Sequence, residues 1–415
     1  MVPYAPTRVR TRPLHTIRAL SQLGHRVTVA TLWTSRQELA EVEALKSEVD
    51  SVLVERQSAL QSMFNCIRSL AASEPMQSRY SWNGRFFRRL VRELSSRPYD
   101  VVHVEHLRGA RYGLELERTL AAGGGPRPAV VWDSVDCISL LFSQAARESV
   151  SWSTRLITGM ELPATRRFEA NATTCFRKVL VTSDADREAL LALSQGPSSS
   201  PAGVAPSHVE VLPNGVDLKY FCPADSEKTA NSIVFSGKMS YHANAGAASA
   251  LVRRIMPLVW AEVPEASLWI VGKDPGPAVR RLVREDPGIA AGGDTRITVT
   301  GAVDDLRPYI RQATLAVAPL PYAVGIQNKV LEAMACGVPV VATLAACRAI
   351  RAQPGRDILT AATEQEVATE IVRLLKDESL RRRVASAGRR FVESSHDWRV
   401  IAEKLADVYR EAPAA

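Results

Sequence analysis

The sequence predicts an α/β protein of two doubly wound domains that face each other across a cleft. Three observations lead there. The chain has 415 residues, more than one ordinary core accommodates. Short β-branched runs alternate with amphipathic helical stretches in both halves. These runs lack polar alternation, the pattern of parallel strands covered by helices on both faces.

The first elements are a helix over 15–23, its stop at Gly24, and the strand RVTVATL (26–32). A helix leading into a parallel strand is ordinarily the crossover of a βαβ unit, so an earlier strand should precede the loop 3–13. Met1 and Val2 stand there. The expectation is a first domain whose first, central strand is missing from a sequence that starts late, with Val2 as its stub. A sheet that evolved one strand short is the alternative.

Four runs continue the first half: VDSVLVE (49–55), DVVHVEH (100–106), AVVWDSV (129–135) and KVLVTS (178–183). The second half repeats the pattern with SIVFSG (232–237), ASLWIVG (266–272), RITVTG (296–301), TLAVAPL (314–320) and VPVVAT (338–343). The join falls in VLPNGVDLKYFCP (211–223), where Pro213-Asn214-Gly215 signals a turn. A Ser/Pro/Gly-rich loop at 196–207 precedes it. This divides the chain into 1–210, 211–390 and a closing helical segment, 391–415. The last helix carries Trp398, Ile401, Leu405, Val408 and Tyr409 at helical spacing.

Composition narrows the function classes. Apolar residues make up 46% of the chain, and no apolar run reaches the length of a membrane span. The six cysteines show no CxxC spacing, which predicts reduced thiols in the cytoplasm and no zinc site. The net charge of +8 is spread over both halves without a basic tail, which argues against nucleic acid as a partner. The helix GRFFRRLVRELSSR (84–97) sets Phe86, Phe87, Leu90, Val91 and Leu94 on one face and Arg85, Arg88, Arg89 and Arg92 elsewhere. Peripheral contact with an anionic membrane is one reading of it. A helix packed on its own domain is the commoner one.

Ligands of such sheets bind beyond the carboxyl ends of the strands, so residues there are the candidates. Gly237-Lys238 follows SIVFSG; Gly272-Lys273 and Gly301 hold equivalent positions. Gly325-Ile326-Gln327-Asn328-Lys329 opens a helix, whose N-terminus is a ready anion site. Lys329 opposes the helix dipole in the first turn, an arrangement that a bound phosphate would relieve. Glu332 lies one turn in among Val330, Leu331, Ala333, Met334 and Ala335. A carboxylate so placed accepts two hydrogen bonds, as from ribose hydroxyls; a solvated helix acid is the plainer reading. In the first half, Glu105 and His106 end one strand, Asp133 and Asp136 the next, and Arg8, Arg10 and Arg12 line the first loop. His103 alternates inward as a core histidine would. No Ser-His-Asp, metal-ligand or GxxxxGK[ST] spacing occurs.

With these residues in view, the sequence resembles the retaining glycosyltransferases of family 4, which have the GT-B fold of two Rossmann-like domains. VLPNGVDLKYFCP, SIVFSGK, VTGAVDDLRPYI, TLAVAPL and NKVLEAMACGVPVVAT carry the resemblance, in order, across 209–343. PYAPTRVRTRP, HRVTVATLW, DVVHVEH and KVLVTSDADR extend it into a variable first domain. The GIQNKVLEAMA version is similar to a subgroup tied to bacterial exopolysaccharide and exosortase loci.

The resemblance implies a nucleotide-sugar donor as substrate and no separate cofactor. The second domain would bind the donor, the first a glycan or lipid-linked acceptor, and the last helix would pack back on the first domain. Glu332 would hold the ribose, the Gly325–Gln327 amides and Lys238 the diphosphate, and Gly301–Val303 and Leu306 would cover the base, with Gly237, Asn328 and Lys329 also in the donor-binding set. Glu105 or His106, with Arg8 and Arg10, would face the sugar and acceptor.

Two positions depart from the family. It usually carries a second acid eight residues before Glu332, where Val324 stands here. A second phosphate-binding lysine is expected shortly after Lys238, where Tyr241-His242-Ala243-Asn244 stands. Gln327, Asn328 or Lys329 would take over the sugar contact. Three other activities fit parts of the sequence: a nucleotide-sugar epimerase of the same fold, a non-catalytic nucleotide-sugar-binding partner protein, and a nucleic-acid binder with salt-dependent affinity.

Overall fold

The computed structural model describes residues 1–7, 10–72, 74–122, 127–148, 152–195, 208–224, 227–286, 295–322 and 325–412. The chain forms two units, Met1–Pro213 with Trp398–Ala415, and Asn214–Asp397. The divisions fall at 213/214 and 397/398 rather than at 210/211 and 390/391. The cause lies in the segment read as a turn-rich join, which begins as a strand of the first unit. Similarly, the helix Glu378–Ser395 belongs wholly to the second.

In the first unit β1 (Thr28–Trp33) pairs in parallel with β2 (Ser51–Arg56). A separate parallel sheet runs β3 (Val101–Glu105), β4 (Ala129–Val135), β5 (Lys178–Val181), β6 (Val209–Val211). Val2 lies between the two sheets. It forms a parallel bridge with Thr31 and donates its N–H to the Ala30 carbonyl at 2.9 Å, while the Met1 carbonyl accepts from the Glu105 N–H at 3.1 Å. Beyond Val2, a cavity of about 820 Å³ separates β1 from β3, floored by Ile17, Leu20, Leu90 and Leu116. The peptide groups of Val27 and Trp33 bond toward β2, and that of Asp100 toward β4. Alternation therefore turns the backbone of Thr28, Ala30, Val101 and His103 toward the cavity.

The helix Trp398–Glu411 is part of this first unit. Its Trp398, Ile401, Leu405 and Val408 join Ala19, Leu20, Val131 and Leu180 in one core cluster. Burial of each such large side chain stabilises by about 1.5–3 kcal/mol. His15 stacks on Trp398 at 5.4 Å between ring centroids. The helix Gly84–Ser96 also turns its apolar face inward: Phe86 and Leu90 are buried with Leu32, Tyr112 and Leu116, and Phe87, Val91 and Leu94 pack beside them. Its apolar residues thus pack on the domain itself, the commoner of the two readings. Among the described residues no helix is long and apolar enough to cross a membrane.

The second unit is one parallel sheet in the order β12-β11-β10-β7-β8-β9. The strands are β7 (Ser232–Ser236), β8 (Ser267–Val271), β9 (Ile297–Gly301), β10 (Leu315–Ala318), β11 (Val340–Thr343) and β12 (Leu359–Ala361). Apart from β9, these strands are largely buried and rich in Ile, Val, Leu and Ala, as the unalternating runs required. Winding runs outward from β7 to one edge and from β10 to the other, so the order reverses between these two neighbours. Open α/β sheets bind ligands at the carboxyl ends of such a pair. The helix Asn328–Ala335, which follows β10, starts beside that point.

Candidate functional site

Backbone packing at the carboxyl ends of β7 and β8 builds the floor of the second-domain site. Gly237 and Gly272 have φ of +151° and +150°, and a Cβ on Gly272 would stand 1.8 Å from the Gly237 carbonyl oxygen. Only glycine permits that approach. Gly237 N–H donates to the Val271 carbonyl at 3.0 Å, Met239 N–H to Lys273 at 2.9 Å, and Gly272 N–H to Gly301 at 3.2 Å. Gly237, Gly272 and Gly301 thus form one stepped rim.

The helix Asn328–Ala335 supplies the charge. Its buried stripe of Val330, Leu331, Ala333, Met334 and Ala335 anchors it in the core, and it ends at Gly337, whose φ is +68°. Lys329 is half-buried; its ammonium donates to Asn244 Oδ1 at 2.6 Å and lies 4.6 Å from the centre of the Phe235 ring. Burial lowers its pKa to about 8, against the opposing pull of Glu332. Glu332 is likewise half-buried, and burial raises its pKa to about 7, moderated by Lys329. Glu332 is therefore not the solvated helix acid of the plainer reading.

The other predicted residues of this domain are arranged around that pair. A Cβ on Gly237 would come within 3.1 Å of Lys329 Nζ and 2.8 Å of Asn244 Nδ2. Lys238 is brought in by its backbone, whose carbonyl accepts from Asn244 Nδ2 at 3.0 Å. Its side chain is 58% exposed, 4.0 Å from an equally exposed Asp274, a pairing of little energetic weight. Gly325 (φ +65°), buried Ile326 and Gln327 lead into the helix, and Asn328 accepts from Asn214 at 3.5 Å. Val303 and Leu306 are half-buried against the core beyond Gly301. Val324 lies outside the described residues.

Two residues here escaped sequence reading except as a departure from the family. Asn244 is 7% exposed and joins Lys238 to Lys329. His242 packs between Tyr241 and Tyr322, at 4.6 and 5.6 Å between centroids, and its buried Nε2 has no hydrogen-bond partner among the described residues. The signal for both was their place at the start of the helix His242–Ala250, just after a strand end.

In the first unit Glu105 is buried and accepts from Tyr4 Oη at 3.0 Å. Burial, reinforced by nearby Asp133, raises its pKa to about 8, with Arg12 and Tyr4 opposing. His106 has φ +64° and stands edge-on to Tyr4 at 6.1 Å; burial lowers its pKa to about 4. Arg10 lies 4.8 Å over the Tyr4 ring and reaches Glu38 at 3.1 Å. Tyr4 therefore gathers Arg10, Glu105 and His106. Arg8 lies outside the described residues. Arg12 and Asp133 are buried and committed to each other at 2.8 Å, with Arg12 also bonding the Leu212 carbonyl, so both serve the fold. His103 accepts from or donates to Tyr409 Oη at 2.9 Å, the satisfied core histidine expected. Among the described residues, no group of three acidic, histidine or cysteine side chains could hold a metal ion.

Comparison with known proteins bears on the family and the fold. The sequence model of Glycosyltransferase Family 4 matches residues 9–220, about half of the chain, and that of glycosyl transferases group 1 matches 230–377. A GDP-mannose-dependent monoacylated alpha-(1-6)-phosphatidylinositol monomannoside mannosyltransferase of Corynebacterium glutamicum is 27% identical over 216 residues, covering 49% of this chain and 56% of that protein. A D-inositol 3-phosphate glycosyltransferase of Salinispora arenicola is 30% identical over 231 residues, covering 51% of each. The chain spans about half the length of these curated relatives. Among solved structures, sucrose-phosphate synthase of Thermosynechococcus elongatus has a TM-score of 0.62 at 19% identity, covering 97% of this chain and 92% of that one. Anabaena HepE in complex with UDP and glucose has 0.63 at 14%, covering 98% and 96%. Both likenesses show the GT-B fold of two Rossmann-like domains. With one family model spanning half of its length and a second covering the six-stranded sheet, the chain belongs to glycosyltransferase family 4.

Proposed function

We propose that the protein transfers a sugar from a nucleotide-sugar donor to a glycan or lipid-linked acceptor, with retention at the anomeric carbon, in polysaccharide biosynthesis. One observation carries this reading. Lys329, Asn244 and Gly237 meet where the winding of the six-stranded sheet reverses, with Glu332 one turn further along the helix of Lys329. An ammonium there suits a diphosphate, and a carboxylate one turn away suits the adjoining ribose.

Breaking the anomeric bond builds positive charge on the sugar and negative charge on the departing diphosphate. Lys329, Lys238 and the N-terminal amides after Gly325 stabilise the second of these. Val303 and Leu306 cover the base beyond Gly301. In the first domain Glu105, His106 and Arg10, with Arg8, face the sugar and acceptor. Retention by front-face displacement follows the family pattern. The reaction runs in the cytoplasm, peripheral to the inner membrane where the acceptor is lipid-linked.

Thermal-shift screening of the full chain over UDP-, GDP- and ADP-sugars, followed by transfer assays on the hits, tests this. Stabilisation by one nucleotide sugar and a product with the donor's anomeric configuration are expected. An inverted product removes retention, and stabilisation by none removes the donor. Val324, in place of the second acid, favours one other reading, a non-catalytic binder of nucleotide sugars. It predicts stabilisation without transfer to any acceptor. A nucleotide-sugar epimerase would instead convert the donor with no acceptor present.

A further inference from the structure

Asn244 is held by chemistry in one orientation. Its amide faces the Lys329 ammonium on one side and the Lys238 carbonyl on the other. An ammonium has no lone pair, so Oδ1 must face Lys329; a carbonyl has no proton, so Nδ2 must face Lys238. The residue is 7% exposed and sits in the first turn of the helix His242–Ala250.

The Lys329 ammonium has three donors, and Asn244 is its hydrogen-bond acceptor among the described residues. The Phe235 ring covers one side of it. The absence of a side chain on Gly237 leaves the opposite approach open, since a Cβ there would fill the space 3.1 Å from Nζ. Glu332 on the same helix is the charged group that acts on it; Lys238, paired with Asp274, follows Gly237, and the titratable His242 heads the helix that carries Asn244.

We propose that Asn244 is a positioning residue that fixes Lys329 as a cation for the donor diphosphate and ties it to the Gly237–Lys238 turn. The two lysines then act as one clamp on a pyrophosphate-containing ligand. This rests on the nucleotide-sugar reading above. A diphosphate supplies acceptors for the remaining Lys329 donors and restores the solvation that burial removes. Binding therefore weakens as pH rises through about 8, where free Lys329 loses its proton. Without Asn244 the ammonium has lost an acceptor, and this weakening begins at lower pH.

The test compares a nucleoside diphosphate with its nucleoside, UDP with uridine and GDP with guanosine, by calorimetry on the full chain from pH 6 to 9. Asn244→Ala should weaken the diphosphate roughly tenfold or more while leaving the nucleoside unchanged, because a hydrogen bond to a charged group is lost. Its pH midpoint should move down. Asn244→Asp keeps an acceptor for Lys329, so its midpoint should return to the parental value or above. Its diphosphate affinity should stay weak, because it brings a carboxylate beside the anion. Parental affinity and pH profile in Asn244→Ala overturn the proposal, as does an equal loss of nucleoside binding. Failure of the unaltered protein to bind any of these ligands, or ADP or adenosine, overturns the donor reading itself.

Discussion

Gly272→Ala is the substitution to which the rim of Gly237, Gly272 and Gly301 should be most sensitive. Its Cβ would stand 1.8 Å from the Gly237 oxygen, 2.8 Å from the Gly237 carbonyl carbon and 3.3 Å from its nitrogen. None of these atoms is the far end of a flexible side chain. Relief therefore requires β7 and β8 to part at their carboxyl ends by about 1 Å, and overpacking of this kind costs about 1–3 kcal/mol. The alanine must also hold φ near +150°, which adds backbone strain of about 1–3 kcal/mol. Gly237 carries the turn that positions Lys238 and Asn244, and a displacement of about 1 Å at a catalytic constellation costs on the order of a hundredfold in rate. Urea unfolding measures the first loss and transfer kinetics the second. Gly246→Ala is the control. Gly246 is exposed in the helix His242–Ala250 with nothing within 4 Å of its Cβ position, and should stabilise by about 0.5–1 kcal/mol. A Gly272→Ala protein with parental stability and parental turnover would refute the rim as described.

Three further outcomes are expected. Lys238→Ala should reduce transfer by about 2–4 kcal/mol of transition-state stabilisation and leave the unfolding midpoint unchanged, since the side chain is mostly exposed; unchanged turnover removes Lys238 from the reaction. Arg12→Ala should destabilise by about 3–5 kcal/mol, because Asp133 is left buried and uncompensated; a melting temperature within a degree of the parent would contradict that pairing. Glu105 has its folded pKa raised to about 8 from an ordinary value of 4.5, so its folded state binds the proton more tightly than the unfolded chain. Its contribution is complete below pH 4.5 and is lost as pH rises to about 8, on the order of a few kcal/mol. Glu105→Gln should flatten that slope in thermal denaturation across pH 4.5–8, and an unaltered slope would show that Glu105 does not set it.

Strand positions were the most legible feature of this sequence. Ten runs read as strands correspond to ten strands, because short runs rich in β-branched residues favour extended backbone. The two strands that escaped, Val209–Val211 and Leu359–Ala361, have three residues each and pair at a sheet edge. Such segments are too short for any period to register. The end of the helix Asn328–Ala335 at Gly337 was likewise readable, since only a left-handed residue continues the chain there.

Local chemistry also made Lys329 and Glu332 readable as candidates, because a first-turn lysine and an acid among apolar neighbours both contradict the preferences of an ordinary helix. Their meeting with Asn244 and Gly237 could not be read, since 85 residues separate Lys329 from Asn244 and no spacing rule links them. The same holds for Arg12, which looked like a loop cation and proved to be the buried partner of Asp133, 121 residues away. Which face of each segment is buried depends on periodicity, and periodicity is local. Which charges neutralise one another depends on how sheets stack and helices cross, and that is settled when distant segments exclude water together.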